Sequence, residues 1–315
     1  INMESIRTLF KIGQGPSSSH TIGPRNAAIR VKKQYPNATK FGVKLYSSLA
    51  STGRGHLTDQ AIIDALAPIP VEIEWLPNEQ LAFHPNAMTF CPYGAYGEEL
   101  DSITLYSVGG GRLSDGTPPT DSIVHIYPHS NMHGILAWTK TNGRTFWEYV
   151  SECEGEEVWD YLLEIWHVMS AAVERGIEEE GTLPGPLKLT RKASSYYVKA
   201  NSFSGNLRRR ALSFAFALAV AEENASGGQI VTAPTCGSCG VLPAVLYLLR
   251  HYFEFSEKRI LRALATAGLI GNIVRENASI SGAEVGCQGE IGTACAMAAA
   301  AAAQIFGGTP SQVEY

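Results

Sequence analysis

Ser279-Ile280-Ser281-Gly282-Ala283-Glu284-Val285-Gly286-Cys287-Gln288-Gly289-Glu290 stands at the mouth of an alanine-rich run that continues to Phe306. How that run is read decides the fold of the second half of the chain. Ile291 to Phe306 is mostly alanine and lacks the roughly 18 strongly apolar residues of a membrane span, so it predicts a close-packed buried helix. Cys287 lies between Gly286 and Gly289 and beside the carboxylates of Glu284 and Glu290. A thiol at a helix N-terminus has a lowered pKa, and a thiolate is what a metal or an iron–sulfur cluster takes as ligand. The competing reading of any single cysteine is a buried free thiol.

Outward from this segment, helical periodicity runs back to Thr145. Trp159 to Glu180 carries apolar residues at helical spacing and stops at Gly181. Thr182-Leu183-Pro184-Gly185-Pro186 breaks the pattern, and Leu207 to Glu223, Val241 to Phe255, Glu257 to Glu276 and Gly289 to Phe306 resume it. Before residue 150 the pattern alternates. Thr21 to Tyr35 predicts a helix with Pro24 near its first turn, and His56 to Leu66 predicts another. Phe41–Ser48, Val71–Trp75, Leu81–His84, Ser102–Val108 and Ile123–Tyr127 predict strands, with Gly109-Gly110-Gly111 as a turn. The expected fold class is an α+β domain over residues 1–150 followed by an all-α domain over residues 151–315.

The composition fits two ordinary globular domains: 315 residues, 45% hydrophobic and 17% charged. A net charge of −5 argues against a nucleic-acid footprint, and Arg208-Arg209-Arg210 reads as a solvated helix face or an interface. Met3-Glu4-Ser5-Ile6-Arg7 leads into an amphipathic turn and not into the apolar stretch of a signal peptide. No membrane span is expected. Cys91, Cys153, Cys236, Cys239, Cys287 and Cys295 read as free thiols or ligands and not as a disulfide framework.

Several segments carry candidate chemistry. Gly15-Pro16-Ser17-Ser18-Ser19-His20-Thr21 packs hydroxyls and an imidazole at a helix start. One cap needs a single hydroxyl, so Ser17, Ser18, Ser19 and Thr21 are candidate ligands for a small carboxylate or amino group. Gly53-Arg54-Gly55-His56 is a second imidazole loop before a helix, for which a plain polar loop is the competing reading. Cys236-Gly237-Ser238-Cys239 has the spacing of a zinc half-site or a redox pair, but no second pair or histidine partner follows it. His125, His129 and His133 lack metal-ligand spacing. Glu223-Asn224-Ala225-Ser226-Gly227-Gly228 before Cys236 echoes Glu276-Asn277-Ala278-Ser279-Ile280-Ser281-Gly282 before Cys287. Each leaves a long helix through small residues toward a cysteine, which reads either as two helix ends of similar chemistry or as two loops facing one site.

These segments together resemble a known family. Lys11 to Pro24, Glu180 to Leu187, Glu223 to Gly228, Ala233 to Gly240 and Ser279 to Glu290 are similar, in order, to bacterial iron–sulfur L-serine dehydratases with both domains on one polypeptide. The resemblance implies a cytoplasmic lyase of amino-acid catabolism that converts L-serine to pyruvate and ammonia with a four-iron four-sulfur cluster. It implies a first domain similar to the allosteric substrate-binding domain of phosphoglycerate dehydrogenases and a helical catalytic domain. It makes Cys287 one cluster ligand. The other two family ligands lie in Thr-Cys-Asp-Pro and Ile-Pro-Cys motifs, and neither motif occurs in this sequence. The expectation is therefore that this chain alone holds no complete cluster and is inactive.

For the reaction, an open iron would act as Lewis acid on the C3 hydroxyl, and an imidazole would take the α-proton near neutral pH. His56 or His20 is expected as that base or its support. Ser17, Ser18, Ser19 and Thr21 are expected on the carboxylate or amino group, and Asn277, Ser279 and Ser281 on the cluster side. An exposed apolar helical domain points to a homodimer. Two other functions are compatible with parts of the sequence: a pyridoxal-phosphate lyase, with Gly109-Gly110-Gly111 imitating a phosphate loop, and a serine-binding regulatory protein without turnover.

Overall fold

The computed structural model describes residues 3–117, 124–185, 187–280 and 282–315. Their architecture is mixed α/β with many helices, and the chain divides into two compact units. One comprises residues 14–122; the other joins the residues before Gln14 to those after 122.

After β1 (Met3–Glu4) and β2 (Ile12–Gln14), the first unit opens on a wide π-type turn, Ser18–Ile22, that runs directly into α1 (Gly23–Gln34). Pro24 sits in the first turn of α1, where a missing N–H costs nothing. β3 (Lys40–Tyr46) then passes through α2 (Ser47–Thr52) and α3 (Thr58–Leu66) to β4 (Val71–Leu76), which lies parallel to it. β5 (Ala87–Tyr93), β6 (Ile103–Ser107) and β7 (Leu113–Ser114) complete a five-stranded sheet of order β4-β3-β5-β6-β7 by antiparallel pairing. Phe41, Val43 and Leu45 alternate along β3 and are buried in one core with Ala27, Ala28 and Val31 of α1 and Ile62 and Leu66 of α3. Each large side chain so buried contributes about 1.5–3 kcal/mol.

In the second unit, β8 (His125–Tyr127) pairs with β1. Helices α4 (Met132–Asn142), α5 (Phe146–Glu154), α6 (Glu157–Glu178), α7 (Ala193–Asn201) and α8 (Gly205–Ala225) follow, then β9 (Gln229–Val231), α9 (Val241–His251), α10 (Glu257–Asn277), α11 (Gly282–Ile305) and α12 (Pro310–Glu314). Val158, Leu162, Ile165, Met169 and Val173 form the buried stripe of α6 at helical spacing. α10 is buried all round from Ala263 to Asn272, as befits a central helix. Its small residues permit that position: a Cβ on Gly271 would stand 2.5 Å from Leu9 Cδ2 and 2.9 Å from Met297 Sδ. Among the described residues no helix is long and apolar enough to cross a membrane.

Three expectations change. The boundary read at residue 150 falls inside α5; residues 124–150 pack in the helical unit, and so do residues 3–13. Ile6, Leu9 and Phe10 are buried in the helical core, and the buried Glu154 accepts hydrogen bonds from Ser5 Oγ (2.6 Å), Ile6 N (2.7 Å) and Tyr127 Oη (2.7 Å). The helical unit therefore carries short strands and is not all-α. Residues 81–84 form no strand; the strand is β5, disguised by Pro92. The β5–β6 pairing ends at Phe90–Ile103, so on the β6 side no ladder needs the missing Pro92 N–H.

Candidate active site

Two loops of the 14–122 unit are tied together around a pair of imidazoles. Ser17 caps the π-type turn: its Oγ accepts the His20 N–H at 3.1 Å. Thr21 Oγ1 accepts the Ser17 N–H (3.1 Å) and donates to the His56 carbonyl (2.7 Å). The Thr58 hydroxyl donates to the His20 carbonyl. These bonds bridge some 35 residues of sequence and bring the His20 and His56 rings to 4.7 Å between centroids, tilted by 42°.

The two imidazoles differ in what their nitrogens touch. His56 Nδ1 is 3.0 Å from the Thr52 carbonyl, which only accepts, so Nδ1 carries the hydrogen. That leaves His56 Nε2 as the nitrogen with a lone pair. His20 has both nitrogens engaged: Nδ1 with Ser19 Oγ at 2.8 Å and Nε2 with Ser48 Oγ at 2.9 Å. The His20 pKa is pushed down to about 4, by burial first and by the neighbouring His56 second, against a smaller opposing effect of the Ser48 backbone. His20 is therefore a neutral ring at neutral pH.

Of the other candidates in this unit, Ser17, Ser18 and Ser19 are half-buried, while Thr21 is buried with its hydroxyl engaged in both directions. Gly109, Gly110 and Gly111 all have positive φ and form the β6–β7 turn, with Asn26 Nδ2 donating to the Gly111 carbonyl at 3.0 Å. A Cβ on Gly111 would stand 2.7 Å from Ile22 Cγ2 and 3.5 Å from Asn26 Nδ2, so this glycine packs against α1 and the turn before it.

Asn277, Ser279 and Cys287 lie in the helical unit; Ser281 lies outside the described residues. Asn277 Nδ2 donates to the carbonyls of Ser130 (2.6 Å) and Ile273 (2.9 Å), so its amide hydrogens already serve the fold. Gly286 breaks α11 with φ 67°, a left-handed conformation that suits glycine, so Cys287 opens the long alanine-rich helix as an exposed thiol. Cys236 and Cys239 are buried and form no disulfide, and burial raises the Cys239 thiol well above its usual pKa. A Cβ on Gly237 between them would stand 3.3 Å from Glu290 Oε2, so the stretch around Cys236 and Cys239 approaches the helix that Cys287 opens. Among the described residues no three His, Cys, Asp or Glu side chains stand where they could hold a metal ion.

Sequence reasoning missed Ser48, Thr52 and Thr58. Ser48 follows Ser47, whose φ of 43° turns β3 sharply into α2. The sequence signal for it was slight: two serines at the end of an alternating strand, with no glycine to mark a turn.

Comparison with known proteins gives consistent matches. A family model described as serine dehydratase alpha chain matches residues 51–315, and one described as serine dehydratase beta chain matches residues 5–72. The L-serine dehydratase of Haemophilus influenzae is 39% identical over an alignment of 366 positions, covering 99% of this chain and 80% of that protein. The L-serine dehydratase of Streptomyces coelicolor is 39% identical, covering 98% and 80%. L-serine dehydratase 1 of Escherichia coli is 37% identical, covering 99% and 80%.

Proposed function

The chain belongs to the serine dehydratase family, and on that premise we propose that it is an L-serine dehydratase, a lyase releasing pyruvate and ammonia from L-serine. The observation that carries the chemistry is the pairing of His20 with His56. His56 is the general base. Its Nδ1–H is anchored on Thr52, so Nε2 takes the α-proton. His20 supports it as a neutral ring, which tolerates the positive charge that His56 gains. The C3 hydroxyl departs with a proton as water, leaving aminoacrylate. Its imine tautomer takes up water and gives pyruvate and ammonia.

Ser17, Ser18 and Ser19 belong to the substrate side in this reading. Thr21, with its hydroxyl engaged by Ser17 and His56, joins the loops. Asn277, Ser279 and Ser281 are assigned to the cluster side. The resemblance assigns help for the leaving hydroxyl to a four-iron four-sulfur cluster with Cys287 as a ligand. The described residues supply Cys287 as an exposed thiol but no three-ligand group, so by themselves they do not fit a cluster. The same reading takes the five-stranded unit as similar to the allosteric substrate-binding domain of phosphoglycerate dehydrogenases, and the protein as a cytoplasmic homodimer.

The test is release of pyruvate and ammonia from L-serine by protein purified without oxygen and supplied with iron and sulfide. Equal release of both supports the reading. Binding of L-serine with neither turnover nor loss of its α-proton would favour a regulatory protein instead.

A further inference from the structure

Arg54 stands two residues before His56, in the loop beyond β3, and the base chemistry of His56 makes no use of it. β3 and β4 run parallel, so the carboxyl ends of both strands lie at one edge of the sheet. In open sheets with parallel strands, ligands gather at that edge. The loop leaves β3 there, and Trp75 stands there on β4, opposite Leu45.

Loop and indole fit closely. Gly53 is buried, and a Cβ on it would stand 2.1 Å from the Leu49 carbonyl oxygen and 2.8 Å from Trp75 Cζ3. Glycine lets the loop lie directly on the ring. Arg54 then holds its guanidinium carbon 5.1 Å from the centroid of the Trp75 ring, within cation–π range. Strand alternation keeps acidic side chains away from it. Val71, Ile73 and Trp75 of β4 pack on the core, while Glu72 and Glu74 are exposed and pair with Lys40 (2.7 Å) and Lys44 (3.9 Å). Arg54 therefore rests on an aromatic face and, among the described residues, has no carboxylate within ion-pair distance. An exposed guanidinium stacked in this way keeps N–H donors on its edge, in the fork that a carboxylate matches.

We propose that Arg54 anchors the carboxylate of L-serine beside His56, with Trp75 as the platform that holds the guanidinium. This rests on the reading of L-serine as substrate. Two peptide units span at most about 7 Å, so Arg54 and His56 project from neighbouring points of one loop. The carboxylate of an amino acid is bonded to the carbon that carries the α-proton, so a substrate gripped by Arg54 presents that proton close to the base. Ser17, Ser18 and Ser19 are then left for the amino group, and the substrate class narrows to amino acids with a free carboxylate.

The test compares L-serine with L-serinamide, in which a neutral amide replaces the carboxylate, by calorimetry on the full chain. A charge-assisted hydrogen bond predicts that the wild type prefers L-serine by about tenfold or more. The preference should vanish in Arg54→Ala, survive in part in Arg54→Lys, and fall about threefold in Trp75→Leu, which removes the platform. In turnover, an anchor that grips ground state and transition state alike predicts that Arg54→Ala raises KM far more than it lowers kcat. A preference for L-serine that survives Arg54→Ala, or a wild type that binds both compounds equally, overturns the proposal. A fall in kcat at unchanged KM also overturns it. A preference that depends on Arg54, in a protein that never exchanges the α-proton of L-serine, upholds the anchor and overturns the dehydratase reading instead, so the two failures are distinct.

Discussion

In residues 14–122, the two histidines are held by named partners: Thr52 on His56, Ser19 and Ser48 on His20, and Thr21 and Thr58 on the loop carbonyls. Cys287 in the helical unit is the opposite case, an exposed thiol that follows the break at Gly286. The contrast separates two kinds of chemical group. A proton-transfer group works only in one tautomer and one orientation, so its surroundings must fix both. A metal ligand gains its orientation from the metal and the other ligands, and can stay unrestrained until they are present.

This comparison can be broken at several points. The largest effect is expected from His56→Ala, which should lower pyruvate formation about 10²–10⁴-fold, the usual contribution of a general base. Equal rates in wild type and variant would leave the histidine pair structural. Cys287→Ala should leave the His20 and His56 ring signals unshifted, because the hydrogen bonds that hold the two rings run to Ser19, Ser48 and Thr52. Shifted ring signals would mean that the thiol is built into the histidine cluster after all.

Acid provides the next test. The folded pKa of His20 is lowered from 6.5 to about 4, so the folded state binds fewer protons there than the unfolded state. Stability from this group is complete above pH 6.5 and is lost as pH falls toward 4. The loss is up to about 3 kcal/mol. Urea midpoints of His20→Asn should lack that slope over the same window, and a slope equal to the wild type's would contradict the burial of a neutral ring. The smallest effect is expected from Thr21→Val, which leaves the Ser17 N–H and the His56 carbonyl without their partner. That should cost about 1–3 kcal/mol in denaturant unfolding. No measurable change would show that the two loops are held elsewhere.

The sequence carried the outline of this site but not its logic. The serine-rich loop was legible because its hydroxyls outnumber the needs of a helix cap, and His20 with it. His56 was legible only as a histidine in a loop; its partner lies about 35 residues away and meets it through Thr21 and Thr58. Ser48 left almost no trace, because a positive φ on Ser47 is a tertiary outcome and no local pattern announces it. The helices were readable wherever one face is apolar, as in α6. Two features were not. β5 carries Pro92, which its place beyond the β6 pairing makes harmless. The domain boundary was hidden because Ile6, Leu9 and Phe10 return to the helical core over a distance that periodicity does not see.

The central claim is that His56 takes the α-proton of L-serine. The most direct measurement is exchange of that proton in deuterated water, followed in recovered L-serine and in the pyruvate formed, for wild type and His56→Ala. The account predicts deuterium incorporation at Cα with the wild type and its loss, by about two orders of magnitude or more, in the variant. Exchange at the wild-type rate in His56→Ala would contradict it.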